Sequence, residues 1–292
     1  MKSWKTAIIS YFFVTQNLKI MRTLLVATDF SLAATNAAKY AAELALAIQA
    51  DIELFYVFQV PVSYAEIPVA VNIDEFVTDA EAEMHKLKKE LAVITDHKVN
   101  LNSRVVTGVF FQELESVCEQ IDPYAVVMGS QGTTAAERVL FGGHTVYAMR
   151  HLQWPMITVP PGAKFSSVKK VALACDLEHV GETIPTKQIE ALVNDLHAEL
   201  MILNTGKRRE FNPDSIYESG VLRRKFAGLN PDYHFIASED EDKGIIDFVD
   251  DHHIDLLVVV PKHPGLLQTI THRSHTKQLI LHCHVPVMAI HY

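Results

Sequence analysis

The sequence predicts an α/β fold made of two domains in tandem, each an open parallel sheet with helices on both faces. Short apolar runs alternate with longer segments of helical periodicity, which is typical of such a sheet. This succession occurs twice in 292 residues, and a chain of that length suits about two domains. A segment rich in Pro, Gly and Ser, residues 160–167, separates the two successions and is typical of a linker.

We therefore divide the chain into four parts. A first domain is expected at 21–161, a linker at 162–168 and a second domain at 169–292. Residues 1–20 form an N-terminal extension, for which three interpretations stay open: a misassigned start upstream of Met21, a signal sequence without a clear cleavage site, or an extra strand or helix.

The first domain is predicted to hold five strands and four helices. Its clearest helix covers 31–48, where Ala37, Ala41 and Leu44 fall on one apolar stripe, and Ser31 is a candidate N-cap. The strands are expected at 22–28, 50–57, 100–107, 124–128 and 156–159, and the other helices at 75–95, 111–120 and 146–151.

The second domain repeats this order. Both halves open with a basic residue, an apolar run and an aspartate, Asp29 or Asp176, and both close with a short apolar strand after a proline. The later strands are expected within 169–175, 198–205, 232–237, 255–260 and 285–290, and the helices at 186–197, 214–226 and 244–252.

Composition and charge exclude several classes of function. The net charge of −9 and the absence of a basic stripe argue against nucleic acid as a partner. No apolar run reaches the length of roughly 18–20 residues that a transmembrane helix needs, so no membrane partner is expected. Three widely spaced cysteines do not suggest a disulfide framework and favour a reducing, cytoplasmic location.

A glycine pattern follows the fourth strand of the first half. It has the spacing G-x2-G-x9-G and ends just before a predicted helix. Glycines at a strand end let the backbone approach a ligand and reach positive φ, and a helix N-terminus suits a phosphate. The alternative is a tight strand-to-helix turn whose glycines serve packing alone. The residues of the pattern are Gly129, Gly132, Gly142 and Gly143.

This pattern, with the strand before it and the helix after it, resembles the nucleotide loop of the universal stress protein family. The resemblance is strong for the first half and architectural for the second. It implies Rossmann-like domains of the adenine nucleotide α-hydrolase-like type, paired back to back through their last strands into a pseudo-dimer. It also implies ATP, ADP or AMP as the ligand, with Mg²⁺ as a potential companion of the phosphates.

The resemblance assigns roles residue by residue. Asp29 would contact the adenosine portion, although it also suits the N-terminus of the following helix. Val57 would lie against the base and Met128 near the ribose, while Ala27 stands where the family often has Pro. The loop around the sugar and phosphates would consist of Gly129, Gln131, Gly132, Gly142, Gly143, His144 and Thr145, with the Thr145 hydroxyl available to a phosphate.

Several positions depart from the family pattern. Gly143 replaces a usual Ser or Thr, which removes one hydroxyl from the phosphate end, and His144 replaces a usual aliphatic residue, so that it would either reach a phosphate or stack at the loop. In the second half the glycine positions are taken by Pro261, Pro264, Ser274 and His275. Proline has a fixed φ and no N–H, so we expect this second loop to be degenerate.

The sequence therefore predicts a stress-response protein that binds an adenine nucleotide in its first domain and acts as a regulatory module. We expect no catalytic or metal-binding residues and at most slow ATP hydrolysis. Two alternatives stay open: a small-molecule enzyme of the same fold, and a structural stress protein that has lost nucleotide binding. An unidentified protein partner and a homodimer are also compatible with this interpretation.

Overall fold

A computed structural model describes residues 22–59, 73–130, 144–204, 213–236, 238, 240–261 and 275–292. The strands in these ranges all belong to one sheet. They are β1 Arg22–Ala27, β2 Ala50–Phe58, β3 Leu101–Thr107, β4 Ala125–Gly129, β5 Met156–Val159, β6 Lys170–Cys175, β7 Glu199–Asn204, β8 Asp232–Phe235, β9 Leu256–Val259 and β10 Val287–Ala289.

The helices of the described residues connect these strands. They are α1 Leu32–Ile48, α2 Ile73–Ile94, α3 Phe110–Ile121, α4 at 144–151, α5 Val180–Thr183, α6 Thr186–Leu196, α7 Pro213–Lys225, α8 Glu241–Asp251 and α9 His275–His282. None of the helices in these ranges combines the length and apolar character needed to span a bilayer.

The sheet has the order β3-β2-β1-β4-β5-β10-β9-β6-β7-β8. Each half of the sequence supplies five neighbouring strands, and these are parallel. The halves meet where β5 and β10 pair in antiparallel fashion, with Ile157 opposite Met288. The predicted α/β fold is confirmed, and the last strands of the two halves pair as the resemblance implied.

Burial on both faces explains the apolar strands. Leu24, Leu25 and Val26 of β1 are fully buried, and all four residues of β5 and of β9 are buried as well. Two apolar clusters, one on each face of the sheet, contain these side chains in alternation. A parallel sheet needs this continuous apolar character because helices cover both of its faces.

Local capping sets the ends of α1. The Ser31 hydroxyl accepts a hydrogen bond from the Ala34 amide at 3.2 Å, which confirms the predicted N-cap. At the other end Gln49 adopts a left-handed conformation with φ of 54°, and its amide donates to the Ala45 carbonyl. The chain then enters β2 directly.

Several helices include residues before their predicted starts. The described part of α4, 144–151, includes His144 and Thr145, which precede the predicted range of 146–151. α8 begins at Glu241 instead of 244 because the Asp240 carboxylate caps it, accepting from the Lys243 amide at 3.1 Å. Acidic residues at a helix start are favourable because they face the positive end of the helix dipole. The prediction for residues 1–20 lies outside the described residues.

Candidate functional site

A cavity of about 370 Å³ opens at the carboxyl ends of β1, β2 and β4. The direction in which successive strands are added to the sheet reverses here: β2 and β3 lie on one side of β1, and β4 and β5 lie on the other. Open α/β sheets commonly bind ligands at such a switch point, and the volume suits a small molecule. The lining residues are Ala27, Thr28, Asp29, Ser31, Ala33, Ala34, Tyr56, Val57, Phe58, Gln59, Phe110, Met128, Gly129, His144 and Thr145.

The structure brings together every predicted site residue that it describes. Ala27 ends β1, Asp29 follows it, Val57 lies in β2, and the remaining four come from the end of β4 and from α4: Met128, Gly129, His144 and Thr145. The other four predicted residues, Gln131, Gly132, Gly142 and Gly143, lie outside the described residues.

Asp29 lies in the turn between β1 and α1. Its Oδ1 atom accepts a hydrogen bond from the Ser31 amide at 3.0 Å, while the Thr28 hydroxyl accepts from the Phe30 amide at 3.0 Å. Phe30 itself adopts a positive φ of 63°. These bonds fix the carboxylate at the N-terminus of α1, where the helix dipole stabilises it. The role of a helix-end acid is therefore present.

Gly129 is required by close packing. A Cβ atom at this position would lie 3.0 Å from the carbonyl carbon and oxygen of Ala33 and 3.2 Å from the Ala34 nitrogen. Its φ is not in the left-handed region; among the described glycines only Gly162 has a positive φ. The first glycine of the pattern thus lets α1 approach the end of β4, which is the packing role that the sequence left as the alternative.

Thr145 and His144 belong to the described part of α4. Thr145 is buried, and its hydroxyl donates to the Gly129 carbonyl at 3.1 Å. Since a hydroxyl has one proton, it cannot donate to a phosphate while this bond holds, so the predicted role of this hydroxyl as a phosphate donor is not seen. His144 is exposed, and its ring meets the Phe110 ring edge-on at 5.2 Å.

Two aromatic residues that the sequence pattern did not indicate, Tyr56 and Phe58, also line the cavity. Tyr56 and Phe58 flank the predicted Val57, and the Tyr56 ring lies 4.8 Å from that of Phe30. Phe58 stacks on Phe76 at 5.2 Å. Burial, and then the negative charge of Asp29, raises the pKa of Tyr56, so its phenol stays protonated at neutral pH. The position of Tyr56 and Phe58 beside Val57, at the end of an apolar strand, is the sequence feature that could have indicated them.

The turn after β6 corresponds to the turn between β1 and α1, but its hydrogen bonds differ. The Val180 amide, at the start of the short helix α5, donates to the Glu218 carboxylate of α7 at 2.8 Å. The hydrogen bond of this amide is thus made to a side chain of the protein. Pro261 is buried after β9, whereas Pro264 and Ser274 lie outside the described residues, so the degenerate second loop stays a prediction.

The fold and the cavity define a class: α/β proteins with an open parallel sheet and a cavity at its carboxyl edge. Within this class, residues 21–160 match the Universal stress protein family. The first half of the chain is therefore a universal stress protein domain. No curated protein matches the chain.

Solved structures extend the likeness of fold to both halves. A universal stress protein from Archaeoglobus fulgidus DSM 4304 is 17% identical, with 92% of this chain and 96% of that chain covered and a TM-score of 0.70. A putative universal stress protein from Pseudomonas aeruginosa UCBPP-PA14 is 9% identical, with 92% and 93% covered and a TM-score of 0.55. The cytoplasmic domain of a prokaryotic cation chloride cotransporter is 9% identical, with 92% and 95% covered and a TM-score of 0.50.

Proposed function

We propose that the first half binds an adenine nucleotide in the cavity at β1, β2 and β4, and that the protein works in the cytoplasm as a nucleotide-binding module of the stress response. One observation carries the proposal. The seven described residues that the family pattern selects come from four separate parts of the chain, and all of them line one cavity.

The chemistry of the cavity supports an aromatic ligand with a polar tail. Tyr56, Phe58 and Phe110 offer flat apolar surface, which favours contact with a base. The first turn of α1 faces the same cavity, since Ala33 and Ala34 line it, and Thr145 of α4 lines it as well. Helix N-termini present amide groups without partners inside the helix, and these suit the oxygen atoms of a phosphate.

Binding can be tested by titrating ATP into the full chain up to millimolar concentration in a calorimeter. We expect Val57→Trp to abolish the heat, because a larger side chain at this lining position would fill part of the cavity. Val93→Trp is the matched control, since Val93 is 74% exposed on α2 and does not line the cavity. Absence of binding by the unaltered chain, or equal binding by Val57→Trp, would contradict the proposal.

We further propose that this module is not a dedicated enzyme. Asp29 is the one carboxylate among the described lining residues, and its Oδ1 atom is held by the Ser31 amide. His144, the one imidazole among them, packs edge-on against Phe110. General acid and base catalysis of hydrolysis needs a group free to move a proton at the reacting atom. We expect turnover of radiolabelled ATP by the full chain to stay close to the rate in buffer. A multiple-turnover rate that Asp29→Asn removes would favour the enzymatic alternative.

A further inference from the structure

We infer that Tyr56 makes the aromatic contact with the base of the ligand, and that Phe30 is the positioning residue that holds the Tyr56 ring in place. This inference rests on the proposed function and assigns two roles at its cavity. Tyr56 of β2 lines the cavity, and its ring lies 4.8 Å from the ring of Phe30 at an angle of 34°. Phe30 is not among the described lining residues, so its effect on a ligand would pass through Tyr56.

The backbone of Phe30 is strained. Its φ is 63°, which is unusual for a large apolar side chain. The other non-glycine residues with positive φ in the described parts of the chain are Gln, Asp, His or Asn, and most of them follow the end of a helix, where this conformation is an ordinary cap. Phe30 instead precedes α1. Strain of this kind clusters at ligand-binding sites and persists only where the surrounding structure enforces it.

Two hydrogen bonds enforce the strained turn and join it to β2. The Phe30 amide donates to the Thr28 hydroxyl at 3.0 Å. The Thr28 amide in turn donates to the Phe55 carbonyl at 2.9 Å, at the residue directly before Tyr56. The turn that gives Phe30 its positive φ is therefore attached to the strand that carries Tyr56, and this attachment keeps the two rings together.

The second half differs at both positions. The order of the chain after β6 and the register of β6 with β7 place Leu177 where the first half has Phe30, and Asn204 where it has Tyr56. Leu177 does not have a positive φ. The strained turn and the aromatic pair thus occur together, in the half that contains the candidate site.

Preorganisation is the physical reason to hold the Tyr56 ring. A ring with one orientation before binding has little freedom left to lose when a flat base packs against it, so binding costs less entropy. Contacts between aromatic rings also contribute more than the apolar area that they bury. Phe30 would supply this order from outside the cavity.

The first experiment is calorimetry with ATP on the full chain. Tyr56→Phe keeps the ring and should keep the affinity, whereas we expect Tyr56→Leu to bind about three- to tenfold more weakly. Phe30→Leu introduces the side chain of the second half and should weaken binding about two- to tenfold although Tyr56 is unchanged. Tyr217→Leu is the matched control, because Tyr217 is 66% exposed on α7, and its affinity should equal that of the unaltered chain.

The second experiment is fluorine NMR of the full chain labelled with 3-fluorotyrosine. The resonance that disappears in Tyr56→Phe belongs to Tyr56. ATP should shift this resonance through the ring current of the base. Phe30→Leu should move it in the absence of ATP and should also change the shift that saturating ATP produces. A Phe30 that served stability alone would leave the shift at saturation unchanged.

The outcomes separate this inference from the proposed function. ATP binding that leaves the Tyr56 resonance in place, or that is equally tight in Tyr56→Leu and Tyr56→Phe, would overturn the inference while the proposed function stands. The same saturating shift in Phe30→Leu and in the unaltered chain would overturn the positioning role of Phe30. Failure of the unaltered chain to bind ATP would overturn both the inference and the proposed function.

Discussion

At the scale of single residues, Gly129 couples the cavity to the core. It ends β4, it faces the first turn of α1, and its carbonyl accepts the hydrogen bond from Thr145 of α4. Three elements that line the cavity therefore meet at one residue. A change here alters the relative positions of α1 and α4 without touching any side chain of the site.

Gly129→Ala should destabilise the fold by about 1–3 kcal/mol, the usual cost of forcing an extra carbon into a packed region. The new Cβ would lie 3.0 Å from backbone atoms of Ala33, which cannot move like a flexible side chain. Urea unfolding measures the loss. Gly181→Ala is the control, because a Cβ there meets nothing within 4 Å, and it should be neutral or slightly stabilising. Equal urea midpoints for Gly129→Ala and Gly181→Ala would contradict the prediction and show that α1 can move away from β4 at little cost.

At the scale of elements, strands and helices were predictable wherever one periodicity ran without interruption. The stripe of small apolar residues in α1 and the apolar runs of β1 and β4 fixed those elements to within about two residues. The start of α8 was misplaced because a cap depends on which carboxylate or hydroxyl reaches which amide. Asp240 and its bond to the Lys243 amide illustrate this.

The site residues that belong to a sequence motif were predictable. Those that line the cavity only because of how the elements pack were not. Asp29 and Gly129 follow apolar strands, so their place at the carboxyl edge follows from the parallel order. Tyr56 and Phe58 were missed because buried and partly buried positions alternate from Ala50 to Leu54 in β2, whereas the alternation breaks before the cavity. Which way those rings turn depends on the space left by α1 and α3.

The contact of β8 with α8 predicts a pH-dependent stability. His234 of β8 meets the rings of Phe248 and His252 at 4.9 and 5.2 Å, and its Nε2 atom is buried without a hydrogen-bond partner among the described residues. Burial and the neighbouring His252 lower the pKa of His234 below its ordinary value of 6.5, while Asp232 opposes them.

The unfolded chain therefore takes up this proton more readily than the folded protein, so the free energy of unfolding should fall as the pH drops below about 6.5. Replacing the imidazole by a ring that does not titrate, His234→Phe, should make the urea midpoint less dependent on pH between 7.5 and 5. His85→Phe, on the exposed face of α2, is the control. An identical pH profile for His234→Phe and the unaltered chain would contradict the assignment.

At the scale of the whole molecule, two similar halves share one sheet but differ at their carboxyl edges. The first half has a cavity lined by predicted ligand-contacting residues, whereas the second has a glutamate, Glu218, on the amide of Val180. The same architecture occurs in the cytoplasmic domain of a transporter. Function must therefore be argued from the site, because the fold is compatible with several.

The two halves are also joined by a polar cluster near the amino ends of the strands. Asp195 of α6 forms an ion pair with Arg22 of β1 at 2.9 Å and accepts a hydrogen bond from the Tyr124 hydroxyl at 3.2 Å. The guanidinium of Arg22 also lies 5.4 Å from the centre of the Tyr124 ring. Burial, together with the charge of Asp195, raises the pKa of Tyr124, so the phenol remains a donor across the neutral range.

Asp195→Ala should lower the free energy of unfolding by about 1–2 kcal/mol. The substitution removes a carboxylate that is only 15% exposed and leaves its two partners, Arg22 and Tyr124, without it. Asp247→Ala is the control, since the pair of Lys243 and Asp247 lies on the exposed face of one helix and such pairs contribute about 0.3–0.5 kcal/mol. A double-mutant cycle of Arg22→Ala with Asp195→Ala should give a coupling free energy above zero. Zero coupling, with a single unfolding transition retained, would show that the pairing of β5 with β10 holds the halves together without this cluster.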